Sequence, residues 1–98
     1  MLTDYTFLRR LAALAFVDAI WLYGSRARGR HAPRADIDLA VHCPHAGPAE
    51  WQQVLDIVED ADTLLSIDCV RFDALAEGDP LRRAIESEHR VLYEKATV

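Results

Sequence analysis

Three aspartates and one Gly-Ser pair have the residue types and spacings from which chemistry can be read. Gly24-Ser25 is followed, after ten intervening residues, by Asp36-Ile37-Asp38, and a further Asp68 comes much later in the chain. Carboxylates at i and i+2 of a strand project to the same side, roughly 6.5 Å apart along the backbone, so their oxygens can converge on shared metal ions. Mg²⁺ takes hard oxygen ligands in octahedral geometry at about 2.0–2.1 Å, from a few carboxylates together with substrate phosphate and water. Asp36 and Asp38 meet that demand. A second ion roughly 3.5–4 Å away needs another carboxylate, and Asp68 on a neighbouring strand supplies it. Its role would be to hold the ion that activates an attacking hydroxyl. Without a cation, carboxylates this close repel one another and resist full ionisation. A cluster with that cost points to function rather than stability.

Gly24 lacks a β-carbon and lets the backbone approach a phosphate closely, and Ser25 places a hydroxyl and N–H groups at a helix start. Both are expected to grip the β- and γ-phosphates of a nucleotide. Arg26 and Arg28 add cationic donors that can compensate charge on a departing pyrophosphate.

These residues need elements to hold them. A first helix is expected from Tyr5 to Phe16, with Leu8, Leu11, Ala12 and Ala15 on one face. Ala19 to Tyr23 is a β-prone apolar run that stops at Gly24-Ser25, where Ser25 can cap a short helix beginning at Arg26. Asp36 to His42 alternates strictly: Ile37, Leu39 and Val41 take one face, and Asp36, Asp38, Ala40 and His42 the other. Gly47-Pro48 opens a helix whose Trp51, Val54, Leu55 and Val58 share a face. Leu65 to Phe72 forms a further strand with Ser66, Asp68, Val70 and Phe72 on one side. Asp79-Pro80 starts the last helix, carrying Leu81, Ala84 and Ile85, and Val91 to Tyr93 forms a final short strand. A strand covered on both faces would read as a continuous apolar run. The expected fold is therefore α/β (α+β): two layers, a mixed sheet with helices on one face and the aspartates on the other.

Ninety-eight residues suffice for one core and leave little room for a separate acceptor-binding domain. The composition, 51% hydrophobic and 28% charged, is that of an ordinary globular protein. No apolar run approaches a bilayer span. The net charge of -5 argues against general nucleic-acid binding through a broad basic face. Yet Arg26, Arg28, Arg30 and Arg34 fall in one short stretch, a local anion site in an acidic chain. The segment from Met1 to Arg10 lacks the order of a secretory signal, which makes a cytoplasmic location the default expectation. Cys43 and Cys69 lack metal-motif spacing and are expected to be buried thiols.

Several other residues have plainer readings. His42-Cys43-Pro44-His45 is expected to be a strand end and turn, because alternation sends His42 and Cys43 to opposite faces. His31 is assigned to a loop, and His89 to a turn or the surface. Trp21 and Trp51 are expected to be core anchors, and Tyr23 a contact near the nucleotide. Glu59, Asp60 and Asp62 are read as a solvated helix end.

Gly24-Ser25-Arg26-Ala27-Arg28-Gly29 with Asp36-Ile37-Asp38-Leu39-Ala40-Val41, together with Ser66-Ile67-Asp68-Cys69-Val70, resembles the minimal nucleotidyltransferase (MNT) family over nearly the whole chain. The resemblance implies a polymerase-β-like fold, residues 1–98 forming one nucleotidyltransferase domain, two Mg²⁺ ions and ATP as donor. It further implies a helical HEPN toxin as partner in a hetero-oligomer, with AMP transferred to a toxin tyrosine and this chain acting as antitoxin. Two alternatives stand beside it: an antitoxin that binds nucleotide and acts by occlusion, and the catalytic subunit of an antibiotic-type transferase. Ala35 and Glu88-His89 depart from the family pattern without removing a proposed metal ligand.

Overall fold

A computed structural model describes residues 5–29 and 32–96. Met1 to Asp4, Arg30 and His31 lie outside the described residues. The chain runs through α1 (Thr6–Ala12), β1 (Ala19–Tyr23), α2 (Gly24–Ala27), β2 (Ile37–His42), α3 (Pro48–Glu59), β3 (Ile67–Arg71), a 3₁₀ turn (Phe72–Ala74), α4 (Pro80–Glu88) and β4 (Arg90–Glu94). Among the described residues no helix is long and apolar enough to cross a membrane.

Local chemistry sets most of these boundaries. α3 starts at Pro48, where the Gly47 N–H donates to Glu50 Oε1 at 2.8 Å and so satisfies a donor just ahead of the first turn. α4 is capped by Asp79, whose carboxylate accepts the Leu81 N–H at 2.8 Å. α1 ends earlier than its apolar periodicity suggests. After Ala12 the chain tightens into i→i+3 turns, with Leu14 N–H bonded to Leu11 O and Val17 N–H to Leu14 O, both at 3.1 Å. That tightening drops Val17, fully buried, into the core and lets the Asp18 N–H pair with His42 O at 2.9 Å.

The four strands form one mixed sheet in the order β3-β2-β1-β4. β1 is antiparallel to both β2 and β4, whereas β2 and β3 are parallel. A parallel pair needs a crossover, and α3 provides it. Ile20, Leu22, Ile37, Leu39 and Val41 line one face and pack against Phe7, Leu8 and Leu11 of α1 and Val54 and Ile57 of α3.

The mixed sheet and its α1/α3 layer match the sequence expectation of helices on one face, but α4 adds a refinement. It packs on the opposite, carboxylate-bearing face, where Ile85 and Phe72 cluster with Tyr23 and Ala40, and Trp21, Val70, Leu75 and Leu81 pack around them. The reason is apolar area: Trp21, Ala40 and Val70 lie on that face and gain about 25 cal/mol for each Å² removed from water. That face is consequently not bare along its whole length. The part carrying Asp36, Asp38 and Asp68 is the part left open.

A polar clamp joins the far ends of β2 and β3. Asp73 accepts the Cys43 N–H and the Arg71 Nε–H, each at 2.8 Å, while Arg71 Nη2 donates to Cys43 O at 3.0 Å and Ala46 O at 2.7 Å. Burial alone would raise the Asp73 pKa, but the hydrogen bonds from Cys43 and Arg71 outweigh it and hold the carboxyl below its ordinary value. Asp73→Ala should therefore cost about 2–3 kcal/mol at neutral pH. A depressed folded pKa gives stability that is present above the unfolded carboxylate value and lost as pH falls through the folded one. Urea unfolding across acidic pH should show the gap between wild type and variant closing in that window.

Candidate active site

The sheet register assembles the site. Tyr23 lies opposite Asp38 across the β1–β2 pair, and Asp38 lies beside Asp68 across the β2–β3 pair. Residues paired in this way share a face. Tyr23, Asp38 and Asp68 thus form a row across three strands, with Asp36 one pleat away just ahead of β2. Asp36 and Asp68 are exposed and Asp38 is partly buried.

The carboxylates interact with one another. The Asp38 carboxyl is pushed up, first by burial and then by the charges of Asp68 and Asp36, with Arg28 partly offsetting them. The Tyr23 phenol is pushed up to about 12 by burial first, then by Asp68 and Asp38. It stays protonated throughout the physiological range.

Gly24 is where backbone and carboxylate meet. Its φ is +73°, a left-handed conformation suited to glycine, and a β-carbon there would collide with Oδ2 of Asp38. Both constraints arise because β1 must turn into α2 directly beside the Asp38 side chain. α2 begins at Gly24 itself, with Tyr23 in the N-cap position. Ser25 is therefore not the cap expected from the sequence; it is the second residue of the helix. The N–H groups of this first turn have no carbonyl four residues back within the helix.

The arginines have other partners. Arg26 donates from Nε and Nη2 to Ala35 O at 3.1 and 2.8 Å, and from Nη2 to Pro33 O at 3.4 Å, clipping the loop that leads into Asp36. Arg28 forms a 3.0 Å ion pair with Glu88 of α4, both side chains about half exposed. Glu88 and the Arg26 clip were not visible in the sequence, because both depend on what lies across from the Gly24 turn in space. Trp21, read as a core anchor, is only half-buried and lies on the carboxylate face. It stacks on His42 with ring centroids 5.6 Å apart, meets Phe72 edge-on at 4.8 Å and touches His89 at 5.0 Å. Its position two residues before Tyr23 was the available signal. Cys43 is buried on the α1/α3 side, so the His42-Cys43 pair does point to opposite faces. Cys69 is only partly buried, and both thiols are free.

The donor set fits a hard divalent cation: three carboxylates from neighbouring positions on one face, of which Asp38 already feels the other two. Among the described residues no three Asp, Glu, His or Cys side chains are drawn together as a preassembled metal cluster. The row displays ligands that a cation would gather.

A strand–glycine–helix turn pressed against an Asp-x-Asp strand, with a third Asp in register, is the architecture of a nucleotidyltransferase domain. The chain belongs to the polymerase beta nucleotidyltransferase family, whose model matches residues 9–97. Its fold is shared with a chain from the crystal structure of a toxin-antitoxin with AMP-PNP, at TM-score 0.63 and 20% identity, covering 91% of this chain and 72% of that one. Two structures of the toxin-antitoxin MntA-HpeT also match. One, of a mutant with two aspartate-to-glutamate changes, has TM-score 0.59 and 18% identity; it covers 91% of this chain and 68% of that one. The other, of a tyrosine-to-alanine mutant, has TM-score 0.61 and 21% identity, with the same coverage of 91% and 68%. No curated protein sequence matches the chain.

The repulsion at Asp38 yields a test. A carboxyl whose folded pKa is raised contributes stability below its unfolded pKa, and that contribution is lost as pH rises through the folded pKa. Metal-free Asp38→Asn should therefore be more stable than wild type at neutral pH, on the order of 0.5 kcal/mol after solvent screening, or about 2–4 °C in Tm. The difference should shrink in acid, where wild-type Asp38 is itself protonated. Scanning calorimetry in chelator at both pH values measures it.

Proposed function

We propose that this chain transfers AMP from Mg-ATP to a tyrosine hydroxyl of a helical HEPN-type toxin, acting as the antitoxin of a cytoplasmic toxin-antitoxin pair. One observation carries the reading: Asp38 and Asp68 in register on parallel neighbours, with Asp36 one pleat away and the Gly24 turn against Asp38. The family match supports the reaction class. The shared fold with MntA-HpeT and with a toxin-antitoxin bound to AMP-PNP supports the partner and the donor. The tyrosine acceptor and the HEPN identity rest on the resemblance of the motifs to the MNT family.

Each residue has a defined task. Asp36 and Asp38 would hold one Mg²⁺ with the triphosphate, and Asp68 would share in holding a second. Bound there, the ions would neutralise phosphate charge and lower the pKa of the acceptor hydroxyl. Gly24 lets the backbone of the α2 turn come close to the phosphates, and Ser25 contributes its N–H and hydroxyl. Arg28, on leaving Glu88, would face the pyrophosphate as it departs. Arg26 contributes by fixing the loop that aims Asp36. Tyr23, protonated and buried beside Asp38, offers a neutral hydroxyl that adds no negative charge to the row.

The test incubates the protein with Mg²⁺, labelled ATP and the protein encoded beside it. Label should appear on a tyrosine of that neighbour and fall at least about 100-fold with Asp36→Asn or Asp38→Asn. Neutralisation of the neighbour that survives both substitutions unchanged would instead favour occlusion and overturn the transferase reading.

A further inference from the structure

Leu64 is the most exposed large apolar side chain among the described residues, with a relative exposure of 106%. The loop that displays it is held by hydrogen bonds. Asp62 accepts the Thr6 N–H at 3.1 Å and the Phe7 N–H at 3.2 Å, tying the loop to the start of α1, and the Leu65 N–H donates to Thr63 Oγ1 at 3.1 Å. The backbone bonds to Asp62, that from Thr6 foremost, hold its carboxyl below the ordinary range. Leu64 recovers no burial within this chain, so its whole apolar area is available to a partner.

Two hollows flank the side chain. One, of about 370 Å³, is lined by Arg34, Leu64, Leu65 and Ser66. The other, of about 300 Å³, is lined by Ala61, Asp62, Thr63 and Leu64. The larger one lies at the approaches to β2 and β3: Arg34 and Ser66 stand two residues ahead of Asp36 and Asp68, and the Ile37 N–H bonds to Ser66 O at 2.8 Å, joining the two approaches. Arg34 is exposed and has no ion-pair partner among the described residues. In a chain of net charge -5, this places a cation without an ion-pair partner among the described residues beside two leucines, at the approach to the strand that carries Asp68.

We propose that this surface docks the acceptor protein: Leu64 and Leu65 receive an apolar side chain from the segment that bears the acceptor hydroxyl, and Arg34 pairs with a carboxylate beside it. The inference rests on the transferase reading for the word acceptor, while the docking itself is measurable without catalysis. Charge complementarity and apolar area select a protein segment of mixed acidic and apolar character. The position beside Asp68 brings that segment's hydroxyl in from the β3 edge, away from the α2 turn that receives the nucleotide.

The experiment measures two quantities for wild type, Leu64→Ser, Arg34→Glu and the control Val91→Ser: affinity for the protein encoded beside this one, and steady-state labelling of it from ATP. Val91, 52% exposed on β4 at the opposite edge of the sheet, is the other large exposed apolar residue among the described residues. All three substitutions are at exposed positions and should leave Tm nearly unchanged. Leu64→Ser and Arg34→Glu should each weaken affinity and raise KM for the neighbour at least about 10-fold, Leu64→Ser with KM for ATP and kcat unchanged, and Val91→Ser like wild type. If labelling is absent but the two variants still weaken affinity, the transferase reading falls and the docking surface stands. Unchanged affinity in both variants, an equal loss in Val91→Ser, or a change confined to KM for ATP would each overturn the docking surface. Failure of the wild-type chain to bind its neighbour would overturn both readings.

Discussion

The contact between the Gly24 backbone and the Asp38 carboxylate is the constraint on which the rest of the site depends. It follows from register: β1 and β2 pair so that Tyr23 faces Asp38, which places the next residue of β1 directly against that side chain. A β-carbon there would have to push the Asp38 carboxylate aside, and a residue tolerant of φ near +73° is needed to turn the chain into α2 at that point. The same pairing therefore fixes the α2 turn and the Asp38 carboxylate relative to each other. Any slip of one residue would send Asp38 to the buried face and replace it with an apolar neighbour.

The two faces of the sheet divide the work. One is closed by α1 and α3 over a continuous aliphatic core. The other is closed over Trp21, Ala40 and Val70 by α4 and the 3₁₀ turn, and it stays open at the carboxylate row. This partition explains how a small domain can keep three mutually repelling carboxylates together. Packing stabilises the sheet from both sides, so the strands can hold Asp36, Asp38 and Asp68 on one face despite the burial and, after it, the mutual repulsion that raise the Asp38 pKa. Arg28 moderates that repulsion while paired with Glu88 of α4, which links the closed half of the face to the open half.

Much of this was legible in the sequence because it is written in short-range periodicity. β1 came out with the bounds the apolar run suggests, and the alternation from Asp36 to His42 placed three apolar residues inward and the aspartates outward, as the structure has them. What depends on tertiary geometry was not legible. α1 stops at Ala12 because the chain tightens to bury Val17, and helical periodicity does not reveal that. α4 lies on the carboxylate face because Trp21 and Phe72 need cover, although the alternation of β2 alone suggested an uncovered face. Ser25 looks like a cap by residue type, but the helix begins at Gly24, two residues ahead of the expected start at Arg26. Arg26 looks like a phosphate ligand by proximity in sequence, yet its donors are turned to the Ala35 and Pro33 carbonyls. The exposure of Leu64 depends on a loop pinned by Asp62, which the sequence suggested only as part of a solvated helix end.

Two glycines offer a matched comparison. Gly24 and Gly29 have nearly the same positive φ, +73° and +72°, but a β-carbon at Gly29 meets nothing within 4 Å, whereas one at Gly24 meets Asp38. Alanine at either position imposes similar backbone strain of about 1–3 kcal/mol, and only the Gly24 variant displaces the carboxylate. Calorimetric titration of Mg-ATP into Gly24→Ala and Gly29→Ala, both confirmed folded, is the most direct measurement. Gly29→Ala should bind Mg-ATP with wild-type affinity and Gly24→Ala should lose binding; equal affinities in the two variants would contradict a site that depends on the Gly24–Asp38 contact.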